Sequence, residues 1–159
     1  MKRIAASCGR NRTVDCADPD CAADATCAAD GLCAAASDIT CGSVLADTTS
    51  GGTTLLEKNA CDTWLRTGFE KTYRLQPAGT GSITVTLTDM TRDVDLLVLA
   101  KAGPGACNPR NPGCLATSAN FGTADESVTF AAQAGETYYL VVDSYGYRNA
   151  SFTLAVSCP

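Results

Sequence analysis

Apolar and polar residues alternate along several short runs of the chain, most regularly in residues 82–88. There Ile83, Val85 and Leu87 occupy every second position, and serine or threonine fills the others. Successive side chains of a strand point to opposite faces, so this pattern is typical of a strand with one buried and one solvated face. We therefore predict a strand here whose apolar residues face a core.

Two other runs are continuously apolar, and we predict that they are the core strands of one β-sandwich. The first lies in residues 135–145, and its apolar part ends on Asp143, where we expect the buried strand to meet solvent. The second spans residues 93–100 and carries Asp93 and Asp95 at its start. Runs of β-branched, leucine and aromatic residues of this length favour strands that are covered on both faces.

Glycine, proline and asparagine interrupt the apolar runs at short intervals, which indicates turns between strands. The predicted strands are 43–49, 70–75, 82–88, 93–100, 115–119, 127–131, 136–143 and 150–156. This spacing indicates an all-β fold, an antiparallel jelly-roll-like β-sandwich over residues 41–159. The single tryptophan, Trp64, is predicted to plug one end of its core.

Residues 1–40 differ in composition from the predicted sandwich. Alanine, aspartate and glycine dominate this part, and large apolar residues are scarce, so it cannot bury a core of its own. Six of the ten cysteines lie in this part or at its boundary: Cys8, Cys16, Cys21, Cys27, Cys33 and Cys41. We therefore predict an irregular, disulfide-rich N-terminal segment.

Ten cysteines without a single histidine indicate disulfides formed in an oxidising, extracellular compartment. Zinc held by cysteines alone is the rival interpretation, although the paired C-x-x-C spacing of such sites is absent. Cys107 and Cys114 bracket a loop rich in proline and asparagine, and we predict that they close it as a disulfide. Cys158 is predicted to pair with Cys41 or Cys61.

Four aspartates crowd into ten residues of the N-terminal segment: Asp15, Asp18, Asp20 and Asp24. Calcium prefers about six to eight oxygen ligands in a flexible loop, which this spacing could supply. The glutamate that ends an EF-hand loop is missing. The sequence therefore leaves two interpretations open, a calcium site and a solvated acidic linker.

A second acidic group belongs to the predicted sandwich. Asp93 and Asp95 lie two residues apart on one strand and so share a face, and Asp143 could lie opposite them. Three carboxylates at one end of a sandwich repel one another unless they hold a cation or accept backbone hydrogen bonds. We consider a calcium site, and as the alternative a turn in which Asp95 accepts backbone amides while Asp93 is solvated. Glycoside hydrolysis also uses paired carboxylates, but nothing in the sequence supplies a sugar cleft.

The charge balance and the missing histidine exclude several classes of function. A net charge of −5 argues against nucleic acid and anionic membranes as partners, since both bind basic patches. Without histidine there is no Ser-His-Asp triad, Cys-His pair or histidine-bound catalytic metal. No apolar run approaches the ~18 residues of a membrane-spanning helix, so we expect no membrane insertion. The basic start at Met1 is followed by too short an apolar stretch for a signal peptide, so we expect an export signal upstream or an artefactual start.

Two kinds of surface feature complete the candidate sites. Tyr145 and Tyr147 lie in a Ser-Tyr-Gly-Tyr-Arg turn and are candidates for binding a polymer, with ordinary packing as the alternative. Asn11 and Asn149 each begin an Asn-x-Ser/Thr sequon, the acceptor sequence for N-glycosylation.

Ordered blocks over roughly residues 40–158 resemble the bacterial pre-peptidase C-terminal domain, a β-sandwich appended to many secreted proteases and surface proteins. The blocks are Cys41-Gly42, 68–73, 93–99, the loop between Cys107 and Cys114, 126–130, 134–143, and 151–154 with the final cysteine. Residues 15–27 are similar to the Asp-Pro-Asp-Cys repeats that accompany such domains. The 159 residues given include no protease domain, which departs from the family pattern, so we expect this module to be a whole product or a fragment.

The resemblance implies a non-catalytic module that assists secretion or binds a polymer such as collagen, and some members of the family bind calcium. We therefore expect a secreted or cell-surface module that is stabilised by disulfides and calcium and that binds an extracellular polymer or assists secretion. The alternative is a structural subunit whose copies assemble head-to-tail into a filament or surface layer. An enzyme is the least supported of the three classes, because no pair of carboxylates with divided roles is evident.

Overall fold

The computed structural model describes residues 36–54, 61, 67–100 and 114–159. These residues form nine strands: β1 (Ser37–Ile39), β2 (Val44–Thr48), β3 (Glu70–Leu75), β4 (Gly81–Thr88), β5 (Val94–Ala100), β6 (Cys114–Ser118), β7 (Glu126–Ala132), β8 (Tyr138–Ser144) and β9 (Ser151–Ser157). Their order is β1-β3-β8-β5-β6 in one sheet and β2-β9-β4-β7 in the other. Every connection between consecutive strands except that from β5 to β6 crosses between the sheets. The fold is therefore the predicted all-β sandwich.

Strands β2 to β9 correspond to the eight predicted strands, with ends that differ by at most two residues. β8 pairs with β3 and β5, so the two continuously apolar runs are neighbouring interior strands of the five-stranded sheet. All neighbouring strands are antiparallel except β1 and β3, which are parallel. Across the described ranges, no helix is long and apolar enough to cross a membrane.

Strand β1 was not predicted, and it moves the start of the sandwich. It pairs Ser37 with Tyr73 and Ile39 with Leu75, and it buries the side chain of Ile39. The predicted boundary at residue 41 therefore falls after the first strand of the sheet. A strand of three residues is too short to show alternation in a sequence, and only its pairing with β3 defines it.

The main core lies between the two sheets. Ile83, Val85 and Leu87 of β4 are buried there as the alternation predicted. Facing them across the sandwich, the ring of Tyr73 meets that of Phe152 edge-on, with 6.5 Å between centroids. Burying one large apolar side chain contributes roughly 1.5–3 kcal/mol, so this core is the main source of stability.

A second apolar cluster lies on the outward face of the five-stranded sheet. It consists of Leu97, Leu99 and Val141, all buried, and Cys114 and Tyr139 pack against it. Because β5 and β8 are apolar on both faces, their sequences read as continuous apolar runs rather than as alternation.

Two disulfides connect the described residues. Cys41 pairs with Cys158, with 5.5 Å between their Cα atoms, which confirms one of the two predicted partners of Cys158. Cys61 pairs with Cys114, with 5.6 Å between their Cα atoms. The predicted disulfide between Cys107 and Cys114 is therefore wrong.

The direction of the Cys114 side chain explains this correction. Cys114 lies opposite Leu99, and its side chain packs on the outward cluster, where Cys61 reaches it. Closeness in sequence favours a pair between Cys107 and Cys114, but it does not fix the face to which a side chain points. Trp64 and the remaining cysteines lie outside the described residues: Cys8, Cys16, Cys21, Cys27, Cys33 and Cys107.

Candidate functional site

Three loops meet at one end of the sandwich: residues 89–93 after β4, 119–125 after β6, and 145–150 after β8. The strand register places them together, since Leu87 at the end of β4 pairs with Glu126 at the start of β7. At the same end, the start of β5 pairs with the end of β8, and the end of β4 pairs with β9 near its start. Each loop crosses from one sheet to the other there. We call this end of the sandwich, defined by the three loops, the aromatic end.

The aromatic end carries the most exposed aromatic side chains of the described residues. Phe121 is 84% exposed, Tyr145 74% and Tyr147 73%. The ring of Tyr147 also meets Phe69 edge-on, with 6.5 Å between centroids. The structure thus brings Tyr145 and Tyr147, the two tyrosines predicted as surface candidates, to one end with Phe121. Phe121 is not among the predicted site residues, although an aromatic residue in an Asn-Phe-Gly turn between two strands indicates an exposed ring.

Backbone hydrogen bonds hold the loop that carries the tyrosines. The amide of Tyr145 donates to the carbonyl of Asp93 at 3.0 Å, which joins this loop to the one before β5. Gly146 has a φ of 68°, a conformation that favours glycine between the two tyrosines. The amide of Arg148 donates to the carbonyl of Gly146 at 2.7 Å. The tyrosines therefore project from a turn of defined conformation.

A buried carboxylate anchors the loop that carries Phe121. Glu126 accepts a hydrogen bond from the backbone amide of Asn120 at 2.7 Å and another from the hydroxyl of Ser118. Burial raises the pKa of Glu126, and the neighbouring charges of Asp93 and Asp125 act in the same direction. Hydrogen bonds from Ser118 and Asn120 oppose this rise without cancelling it.

The structure brings together two of the three aspartates predicted as a cation site in the sandwich. Asp95 and Asp143 are direct cross-strand partners, and Glu70 pairs with Asp143 from the other side. Asp143 is only 2% exposed, so the expectation that it meets solvent at the strand end is wrong. It lies on an interior strand whose outward face is covered around it.

A metal site does not follow from this row of carboxylates. Among the residues that the structure describes, no group of three or more carboxylate or cysteine side chains is arranged to hold a metal ion. Calcium binding by Asp93, Asp95 and Asp143 stays a prediction. The other predicted calcium ligands lie outside the described residues, and calcium binding by them stays a prediction: Asp15, Asp18, Asp20 and Asp24.

The two sequons have different positions. Asn149 is exposed in the loop after β8, at the aromatic end. Asn11 lies outside the described residues. Glycosylation at either position stays a prediction.

No protein-family model matches the chain, and no curated protein matches its sequence. Among solved structures, it is similar to the pre-peptidase C-terminal domain of a collagenase from Bacillus anthracis, with 15% identity and a TM-score of 0.53. That match covers 77% of this chain and 94% of the other.

Two further structures show lower scores. CorA, a surface-associated copper-binding protein of Methylomicrobium album BG8, has 10% identity and a TM-score of 0.47, over 79% of this chain and 99% of its own. PliG, a periplasmic inhibitor of g-type lysozyme from Aeromonas hydrophila, has 15% identity and a TM-score of 0.46, over 76% and 98%.

The architecture and its disulfides define the class of the protein, a disulfide-linked, two-sheet β-sandwich. Within that class, the described chain has the fold of a pre-peptidase C-terminal domain. The resemblance seen in the sequence is confirmed, and at 15% identity it concerns the fold.

Proposed function

We propose that the protein is a non-catalytic extracellular module that binds a polymer through its aromatic end. The observation that carries the proposal is the exposure of Phe121, Tyr145 and Tyr147, each more than 70%, on loops that meet at one end. Aromatic side chains offer a large contact area with few rotatable bonds, and they are enriched at binding surfaces.

The shape of this surface favours an extended ligand. Side chains that are three-quarters exposed do not line an enclosed pocket of the kind that takes up small molecules. They can instead lie against a polymer that passes over the end of the sandwich. At the rim, the side-chain amide of Asn120 donates to the main-chain carbonyl of Asp125 at 2.9 Å, and the exposed carboxylate of Asp125 can accept hydrogen bonds from a ligand.

The disulfides support an extracellular location. Cys41–Cys158 and Cys61–Cys114 join residues far apart in the chain, and bonds of this kind persist in oxidising compartments. We extend the proposal to calcium as a stabilising ion. What supports this extension is the spacing of Asp15, Asp18, Asp20 and Asp24 in the sequence.

Co-sedimentation with insoluble polymers tests the proposal. The full chain is incubated with collagen fibres, chitin, cellulose or peptidoglycan, and the bound fraction is measured over a range of protein concentrations. For a polymer that retains the protein, Tyr145→Ala with Tyr147→Ala, and separately Phe121→Ala, should weaken binding about tenfold or more, because central aromatic contacts dominate binding energies.

Leu115→Ala is the matched control. Leu115 is also an exposed apolar residue, but it lies near the start of β6, away from the aromatic end. Its truncation should leave the affinity unchanged. Retention of the wild type by none of the polymers, or equal binding by correctly folded aromatic variants, would contradict the proposal.

A further inference from the structure

Strand β2 is an edge of the four-stranded sheet that the described residues form. In the order β2-β9-β4-β7, it is hydrogen-bonded to β9 alone among the described strands. Its residues, Val44–Thr48, include no lysine, arginine or proline, the residues that commonly blunt an exposed edge. Val44 is 74% exposed and Leu45 37%, so two adjacent aliphatic side chains are accessible to solvent on this strand.

The hydrogen bonds to β9 show which main-chain groups of β2 face the open edge. The amide of Val156 donates to the carbonyl of Ser43 at 3.0 Å, and the amide of Thr49 donates to that of Ala150 at 2.9 Å. Groups of successive residues alternate in direction along a strand, so those of Leu45 also face β9. The main-chain groups of Val44, Ala46 and Thr48 accordingly face outward.

One outward amide is already capped. The amide of Thr48 donates to the carboxylate of Asp47 at 2.7 Å, which agrees with its outward direction. The register gives Val44 and Ala46 no main-chain partner on β9. With respect to the described strands, an edge of three residues centred on Leu45 is thus open to pairing with another strand.

We propose that two copies of this chain pair through β2, antiparallel, about a two-fold axis at Leu45. The axis places Leu45 opposite Leu45 of the second copy. It places Val44 opposite Ala46 of the second copy, and both residues have outward main-chain groups. The pairing therefore forms four main-chain hydrogen bonds, two on each side of the axis.

The side chains suit this self-pairing. Asp47 is the one charged residue of β2, and the axis places it opposite Ser43 of the second copy, a hydroxyl that can donate to it. The two Asp47 carboxylates lie roughly four residues, or about 13 Å, apart along the paired strands. No like charges of β2 face each other, and the contact is self-complementary, as a two-fold interface requires.

The size of the contact sets its strength. A single pair of short strands buries far less than the roughly 1,200 Å² of a stable complex. We therefore expect a weak dimer, with a dissociation constant on the order of 100 µM. A two-fold contact is closed, so it gives a dimer rather than a filament. It directs the two aromatic ends in opposite directions, but it does not depend on their binding a polymer.

Sedimentation velocity of the full chain over about 10 µM to 1 mM tests the proposal. The wild type should shift from monomer to dimer over this range. Ala46→Pro removes an outward amide that β9 does not use, and Val44→Lys adds a charge to the edge. Both variants should remain monomeric. Leu115→Lys, which adds the same charge to an exposed position of β6 in the other sheet, should dimerise like the wild type.

Thermal melting establishes which variants are folded, and Val44→Lys keeps the test valid if proline at Ala46 disrupts β2. A wild type that stays monomeric at 1 mM overturns the inference. Folded variants that dimerise like the wild type also overturn it. Oligomers larger than a dimer would overturn it as well, because they require a head-to-tail contact instead of a closed two-fold one.

Discussion

Tyr73 connects the two sheets through one hydrogen bond at the side of the sandwich. Its hydroxyl, on β3, donates to the carboxylate of Asp47 on β2 at 2.8 Å. Burial raises the pKa of Tyr73, and the bond to Asp47 raises it further. The hydroxyl of Tyr73 therefore stays protonated, and continues to donate its hydrogen bond, at pH values above the usual tyrosine pKa near 10.

Tyr73→Phe should lower the free energy of unfolding by roughly 1.5–3 kcal/mol, because the lost hydrogen bond is made to a carboxylate that then remains partly buried. Urea denaturation measures the change. In a double-mutant cycle with Asp47→Ala, the double variant should lose less unfolding free energy than the sum of the losses in the two single variants. Additive losses would show that the bond does not couple the sheets.

Glu126 should make stability depend on pH. Its folded-state pKa is raised above the unfolded value. The stability that Glu126 contributes is therefore fully present below an unfolded pKa of about 4.3 and is lost as pH rises through the folded pKa. The melting temperature of the wild type minus that of Glu126→Gln should therefore be larger near pH 4 than near pH 7.

Asp38 supplies a control of opposite sign. The ion pair with Arg74, 2.6 Å long, lowers the pKa of Asp38. The wild type should therefore lose stability relative to Asp38→Asn as pH falls through that pKa. The raised pKa of Glu126 would be contradicted if the melting-temperature difference between the wild type and Glu126→Gln were constant with pH. It would also be contradicted if that difference fell at low pH, as it should for Asp38→Asn.

At the scale of strands, the sequence predicts most of the architecture because burial imposes a period. Ile83, Val85 and Leu87 could be assigned to the core from alternation alone. β5 and β8 could be recognised as interior strands because both faces need apolar residues. Residues 37–39 could not be recognised, since their strand depends on a parallel partner that is distant in sequence.

Gly68 lies where two backbone segments approach closely, a feature that the alternation of apolar and polar residues does not reveal. A Cβ on Gly68 would lie 1.3 Å from the carbonyl oxygen of Ser144. The next residue, Phe69, exchanges hydrogen bonds with Ser144, so the two backbones cannot move apart without losing these bonds. Gly68 is therefore required for the entry into β3.

Gly68→Ala should cost about 3 kcal/mol or more in the free energy of unfolding, or prevent folding, because the clash is with backbone. Gly79→Ala is the matched control, since a Cβ at Gly79 has no heavy atom within 4 Å. It should change stability by less than about 0.5 kcal/mol. Urea denaturation or soluble yield compares the two, and equal effects would contradict the close approach.

For the whole molecule, the sequence predicts the kinds of bond and surface residue that are present better than it predicts which residues are in contact. It correctly indicates disulfides and offers Cys41 as a partner for Cys158. It fails for Cys114 because pairing depends on which face of β6 the side chain occupies. The aromatic end shows the same limit: Tyr145 and Tyr147 are evident from one turn, while Phe121 joins them only through the crossing loops.

Calcium is predicted to stabilise the folded protein through the aspartates of the N-terminal segment. An ion that binds only the native state raises the melting temperature as its concentration increases. Calorimetric melting with calcium and then with excess chelator, under non-reducing conditions, should show a higher melting temperature with calcium. Equal values would leave the aspartates as solvated groups and the disulfides as the stabilising links.

The most direct test of the account is to map the binding surface by heteronuclear NMR. The labelled chain is titrated with a soluble fragment of the polymer that retains it. Chemical-shift changes should concentrate in residues 119–125 and 145–149, around Phe121, Tyr145 and Tyr147. Binding with changes confined to β2 or to the outward face of the four-stranded sheet, and none at the aromatic end, would contradict the proposed function.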